Sequence, residues 1–248
     1  MLAMMALLLV ATLQCAAAAT LRLLVQSQTA PYLFNDAGGA FHGIAIDILD
    51  AAATRMGVNF EYHETSMARL LADAKQRADI DGAAPVKGDD GDGLYYSAPV
   101  FGFENVVLTR AVSKIAVNRL ADIDRYNFAI WQNGWRSLGP EFEAKYRPDG
   151  AGHFRANYHE HSSHETVVKV FWLGRVDVVV LDRYVFNWYT KQLAGSVDTS
   201  AKLTVHPIFS EKSMYKVAFR DPGLRKRFNA ALKAMNDDGS IDAIMRKY

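Results

Sequence analysis

The chain has 248 residues, with 28 basic and 27 acidic side chains and a formal net charge of +1. So even a balance provides no broad basic face for nucleic acid or anionic lipid, and excludes those as main partners. Hydrophobic residues make up 50% of the chain, enough for one large or two smaller cores, and the single cysteine, Cys15, leaves no pair for a disulfide.

Residues 1–19 read as an export signal rather than as part of the fold. Leu7, Leu8, Leu9 and Val10 form its apolar centre, and Ala17, Ala18 and Ala19 form a small-residue cleavage site ahead of Thr20. The run is shorter than the ~20 residues that a bilayer-spanning helix needs. Gln14 does not suit a lipid-attachment cysteine, and cleavage after Ala19 would leave the remaining chain without a thiol.

After this segment comes a strand over 20–26, then a loop containing Pro31, Tyr32 and Phe34, and a turn at Asp36 to Gly39. Ile44, Ile48, Ala52 and Met56 recur at helical spacing up to Gly57, the stop of a first helix. A strand over 58–62 follows, then a helix with Leu70, Leu71 and Ala74 on one face, capped by Ser66. Ala78 to Pro85 reads as a short strand and loop, 87–93 as a polar glycine-rich loop, and 105–110 as a strand crossing out of a first lobe. A second lobe then brings a helical turn at 120–123, a buried strand over 127–131, a loop over 132–136 opening a helix, and a strand over 153–158.

A helix over 163–173 stops at Gly174, and Val176, Val178, Val179, Val180 and Leu181 then run on without alternation. Such a strand is buried on both faces, as in a sheet covered by helices. Asp182 closes it, at the edge where open α/β sheets hold ligands. A helix with Phe186, Trp188, Tyr189 and Leu193, a return crossing at 203–207, a strand over 215–220 and helices over 224–235 and 240–248 complete the chain.

In this order, Ala30-Pro31-Tyr32, Gly43-Ile44-Ala45-Ile46-Asp47, Ala78-Asp79-Ile80-Asp81-Gly82, Tyr96-Ser97-Ala98-Pro99, Gly174 to Asp182 and Asn236 to Ile241 resemble the bacterial extracellular solute-binding proteins of family 3. The resemblance implies an α/β fold, the two-lobe type II periplasmic binding protein fold with two hinge crossings. Lobe 1 would comprise 20–109 and 206–248, and lobe 2 would comprise 110–205. It implies a monomer in the periplasm that closes on a small polar ligand, an amino acid or a related metabolite, for an inner-membrane ABC permease. No enzyme activity, cofactor or metal is expected. The alternatives are an enzyme on the same fold, resembling cyclohexadienyl dehydratase, and a ligand-sensing module for a signalling receptor.

The resemblance assigns Asp182 to the ligand's ammonium, and Ala83, Ala84 and Pro85 to backbone contacts with the ligand. From the residues themselves, Asp182 also suits an N-cap. Gly134, Trp135 and Arg136 open a helix where an anion could sit. Two positions depart from the family's pattern. Thr29 stands where a stacking aromatic is usual, and Asp90-Gly91 stands where an arginine usually binds the carboxylate. Tyr32, Trp131 and Trp135 are candidate stacking faces, and Arg69, Lys87 and Arg136 candidate replacement cations, with Asp182 and Arg69 or Arg136 expected to clamp the ligand. His159, His161 and His164 with Glu160 have a metal-like spacing, but without a cysteine or a second ligand pair a polar surface loop is the preferred reading.

Overall fold

The computed structural model describes residues 18–26, 30–209 and 212–248; the segment read as an export signal lies outside these, apart from its last two alanines. Leu23, Leu24 and Val25 leave water completely in β1 (Ala19–Val25) because a strand flanks them on either side. β4 (Val58–Glu64) and β5 (Gly82–Val86) both pair with β1 in parallel. β13 (Ser213–Phe219), from the far end of the chain, runs antiparallel to β5 and carries the short β6 (Tyr95–Tyr96) and β7 (Phe101–Phe103). A two-residue hairpin, β2 (Phe34–Asn35) with β3 (Phe41–His42), leads into α1 (Ile44–Met56). Helix α1 buries Ile44, Ile48 and Ala52 on the expected face.

Two more helices of the first lobe, α6 (Pro222–Asp237) and α7 (Ser240–Met245), also come from the end of the chain. Arg55 of α1 donates to the Asp238 carboxylate at 2.6 Å and to the Ser240 hydroxyl at 2.8 Å, joining both parts of the lobe. The short helix α2 (Leu70–Gln76) starts behind Arg69 without a side-chain cap, and Ser66 contributes its backbone carbonyl instead of the expected hydroxyl.

The second sheet has the order β10 (Tyr158–His161), β9 (Phe128–Trp131), β11 (Val178–Asp182), β8 (Asn105–Arg110) and β12 (Leu203–His206). β9 is parallel to β10 and β11, whereas β8 is antiparallel to β11 and β12. All five residues of β11 are buried. Val178 and Val180 pack with Phe128 and Phe142, while Val179 and Leu181 face the opposite core with Phe171 and Phe186, the twofold alternation of a strand covered on both sides. The covering helices are α3 (Pro140–Tyr146), α4 (His164–Trp172) and α5 (Arg183–Leu193).

Three local expectations shift. β8 pairs with β11 from Asn105↔Asp182 to Val178↔Thr109, so the chain enters the second sheet at Glu104 rather than at 109/110, and it leaves beyond His206. No strand forms at 153: the Asp149 carboxylate accepts from Ala151 and His153 N–H groups, both at 2.9 Å, and holds a turn there. The histidine-rich stretch is not a loop, because Tyr158 to His161 pair along β9.

Gly82 fits between β1 and β13 because it has no side chain; a Cβ there would run into the Ala218 carbonyl and the Leu23 side chain. Gly82→Ala is expected to cost about 1–3 kcal/mol by overpacking, read as a lowered urea midpoint with an unchanged slope.

Candidate ligand site

β11 delivers Asp182 to the N-terminus of α5, where its Oδ1 accepts from the Tyr184 and Val185 N–H groups at 2.9 and 3.0 Å. Capping aligns the carboxylate with the positive end of the helix. Its Oδ2 accepts from the Glu104 N–H at 2.6 Å and from the Tyr32 hydroxyl at 3.0 Å. One carboxylate thus joins α5, the first crossing between sheets, and a loop of the first lobe.

Tyr32 is held firmly. The φ of Gly43 is +118°, and a Cβ there would collide with the carbonyls of Pro31 and Tyr32. Its absence lets the Ile44 and Ala45 N–H groups donate to those carbonyls at 2.9 and 2.8 Å. The Tyr32 ring lies against Phe101 at 4.9 Å and Phe103 at 4.3 Å. Glu104 also binds Arg183 and Lys212, each at 3.2 Å, so it links α5 with the return crossing.

A cavity of about 240 Å³ opens between the sheets, lined by Lys87, Phe103, Ser213 and Tyr215 of the first and Asn105, Trp131, Ser137, His164, Leu181, Asp182 and Val185 of the second. That volume lies below the roughly 300–1,000 Å³ of sites for drug-sized ligands and suits a small metabolite. The Lys87 ammonium sits 5.2 Å from the centre of the Tyr215 ring and forms no ion pair among the described residues. The acidic loop behind it has other partners: Lys216 binds Asp89 at 2.6 Å, Arg225 binds Asp90 at 3.4 Å, and Lys75 binds Asp92 at 2.8 Å. All three aspartates are thus paired with cations other than Lys87.

Across the cavity, the rings of Trp131 and His164 stack at 6.3 Å. Burial lowers the His164 pKa to about 4, which keeps the imidazole neutral at pH 7. Burial pushes the Asp182 carboxyl up to about 6, with its four hydrogen bonds pulling the other way, so it is mostly ionised at pH 7. Burial and the Asp182 charge raise the Tyr32 phenol further, so it remains a donor.

Of the residues singled out from sequence, Lys87, Trp131 and Asp182 line this cavity and Tyr32 touches Asp182. Ala83, Ala84 and Pro85 are buried in β5 and are not among the lining residues. Gly134 packs on Ile130, and Trp135 is buried in the second lobe's core with its Nε1 unpaired. Residues 134–136 form only a 3-10 turn, too short to present a helix dipole to an anion. Arg136 lies exposed over Trp135 at 4.7 Å, and Arg69 is exposed at the start of α2, neither lining the cavity. Thr29 lies outside the described residues. From sequence, His164 is weighed only for a metal and read as part of a polar surface loop, although Ser163 ahead of it is a readable N-cap, and Lys87 stands as one of three cations. The histidines make no metal site: no group of three or more His, Cys, Asp or Glu able to hold a metal occurs among the described residues.

The family model of the bacterial extracellular solute-binding proteins, family 3, matches residues 21–248. The chain belongs to this family. Solved structures share the fold at low identity. A polar amino-acid ABC uptake transporter substrate-binding protein from Streptococcus thermophilus superposes with a TM-score of 0.71 at 18% identity, over 92% of this chain and 85% of that one. An ancestral amino-acid-binding protein, a precursor of cyclohexadienyl dehydratase, gives 0.60 at 21% identity over 92% and 94% of the two chains. A histidine kinase sensor domain similar to periplasmic binding proteins gives 0.60 at 18% identity over 94% and 96%. No curated protein matches significantly. The fold is the two-lobe type II architecture of this family.

The Asp182 carboxyl titrates higher in the folded protein than the ordinary 3.8. It therefore contributes stability that is full below about pH 4 and is lost as pH rises through about 6. Compared with Asp182→Asn, the wild type should lose up to about 3 kcal/mol between pH 4 and 7. Paired urea titrations across that range measure the difference.

Proposed function

We propose that this solute-binding protein captures a small carboxylate-bearing metabolite, an amino acid or a relative of one, in the cavity between its lobes. The observation that carries this reading is Lys87: among the described residues it is the one cation lining the cavity, and its ammonium has no acidic partner. A carboxylate taken from water must recover its solvation from protein donors. Lys87 supplies the charge, and Asn105, Ser137, Ser213 and neutral His164 surround it with further polar groups. Trp131 and Phe103 provide flat apolar walls for the body of the ligand. Because Lys87 comes from the first lobe and His164 and Trp131 from the second, a ligand that touches both favours the closed arrangement. That closed form is what an ABC permease would recognise.

Binding is a better reading than catalysis here. A catalytic acid or base needs an available proton or lone pair near the ligand. The Asp182 carboxylate is committed to four donors and Asp89, the acid nearest Lys87 in sequence, is paired with Lys216, which leaves the neutral His164 imidazole of the cavity without an acid to work with. The proposed location is the periplasm, reached after cleavage following Ala19. N-terminal sequencing of periplasmic extract should begin at Thr20, and material that retains residues 1–19 would count against it.

Calorimetry with a bound carboxylate tests the anchor. Lys87→Ala should weaken binding at least about tenfold, the loss of one charge-assisted hydrogen bond. Arg69→Ala and Arg136→Ala should bind like the wild type. A silent Lys87→Ala alongside a weakened arginine variant would move the anion site out of this cavity.

A further inference from the structure

We propose that Tyr32 sets the ligand class of this cavity: its hydroxyl occupies the place on Asp182 that an α-ammonium would need, so the protein selects small carboxylates lacking an amino group over the corresponding amino acids. The proposal rests on Lys87 as the carboxylate anchor and sharpens that reading.

An ionised carboxylate offers about four acceptor positions. All four on Asp182 are filled, by the N–H groups of Tyr184, Val185 and Glu104 and by the Tyr32 hydroxyl. The three backbone donors are fixed by the start of α5 and by the first crossing, so none can withdraw without unwinding one or the other. Tyr32 is the only side-chain donor to Asp182 among the described residues, and it is wedged. It is 1% exposed, lies against Phe101 and Phe103, and its own carbonyl accepts from Ala45 at 2.8 Å. Rotating it away from Asp182 would open the aromatic cluster it forms with Phe101 and Phe103 at the edge of the first sheet.

An arriving ammonium thus finds an acid whose charge is already met by a helix N-terminus and whose lone pairs are spent. The remaining acceptors around the cavity are neutral, and a desolvated cation gains less from those than from a carboxylate. Replacing the ammonium by hydrogen removes the difficulty, since Phe103, Trp131, Leu181 and Val185 give that part of the ligand an apolar wall. Lys87 still holds the carboxylate.

Matched pairs test this by calorimetry at neutral pH: phenylalanine against phenylpropionate, leucine against isocaproate, and glutamate against glutarate. In the pairs that bind, the deaminated member should bind at least about tenfold more tightly, as expected when one buried donor goes unpaired. Tyr32→Phe keeps the ring and its packing but frees one acceptor position of Asp182, so the gap should narrow at least about fivefold, less than the full worth of one charge-assisted bond. Lys87→Ala should weaken both members of a pair alike. Tighter binding of the amino acids by the wild type would overturn the proposal while leaving the Lys87 anchor standing. A gap that persists unchanged in Tyr32→Phe would overturn the role of Tyr32. If no member of any pair binds, the carboxylate reading falls and this proposal falls with it.

Discussion

The Asp182 carboxylate is the point where the parts of this molecule meet. It caps α5, accepts the N–H of Glu104 where the chain first passes between sheets, and accepts the hydroxyl of Tyr32 from the opposite lobe. Burying a carboxylate to 2% exposure is costly unless its lone pairs are satisfied, and here every one is. The surrounding structure serves that requirement. Gly43 lets α1 grip the backbone of Tyr32, the Phe101 and Phe103 rings hold its side chain, and the side chain of Glu104 is tied by Arg183 and Lys212.

Around this node the cavity divides its chemistry by lobe. The first lobe contributes the cation, Lys87, together with Tyr215 beneath it. The second contributes the stacked pair of Trp131 and His164. A neutral imidazole leaves Lys87 without a second positive charge facing it across the cavity. Burial alone achieves that, without a neighbouring acid.

Much of this was legible in the chain. The unbroken Val178 to Leu181 run suits a strand with two covered faces, and the acid after it closes that strand at the edge of the sheet. The face of α1 and the cap that Asp182 gives α5 followed from residue type and spacing. What the chain did not reveal was pairing across distance. β8 belongs to the second sheet because it matches β11 residue for residue, and nothing local in 105–110 announces that partner. Likewise Arg69, Lys87 and Arg136 look equivalent as isolated cations. Only the sheet edges that converge on Lys87, and the ring of Trp135 that engages Arg136, tell them apart. Tyr32 was marked as a stacking face, while its distinctive contact, made across 150 residues, runs through its hydroxyl.

The acidic loop next to Lys87 has a consequence for the solution conditions in which the protein works. Asp89 is 91% exposed and Asp90 50%, so their pairs with Lys216 and Arg225 lie within reach of mobile ions. At a physiological ionic strength, with a Debye length of about 8 Å, such contacts are already partly screened. Further salt weakens these ion pairs, and by the same screening it weakens the attraction between Lys87 and an approaching anion. The two effects share a sign. The pairing of this loop and the pull of Lys87 on any anion therefore weaken together as salinity rises.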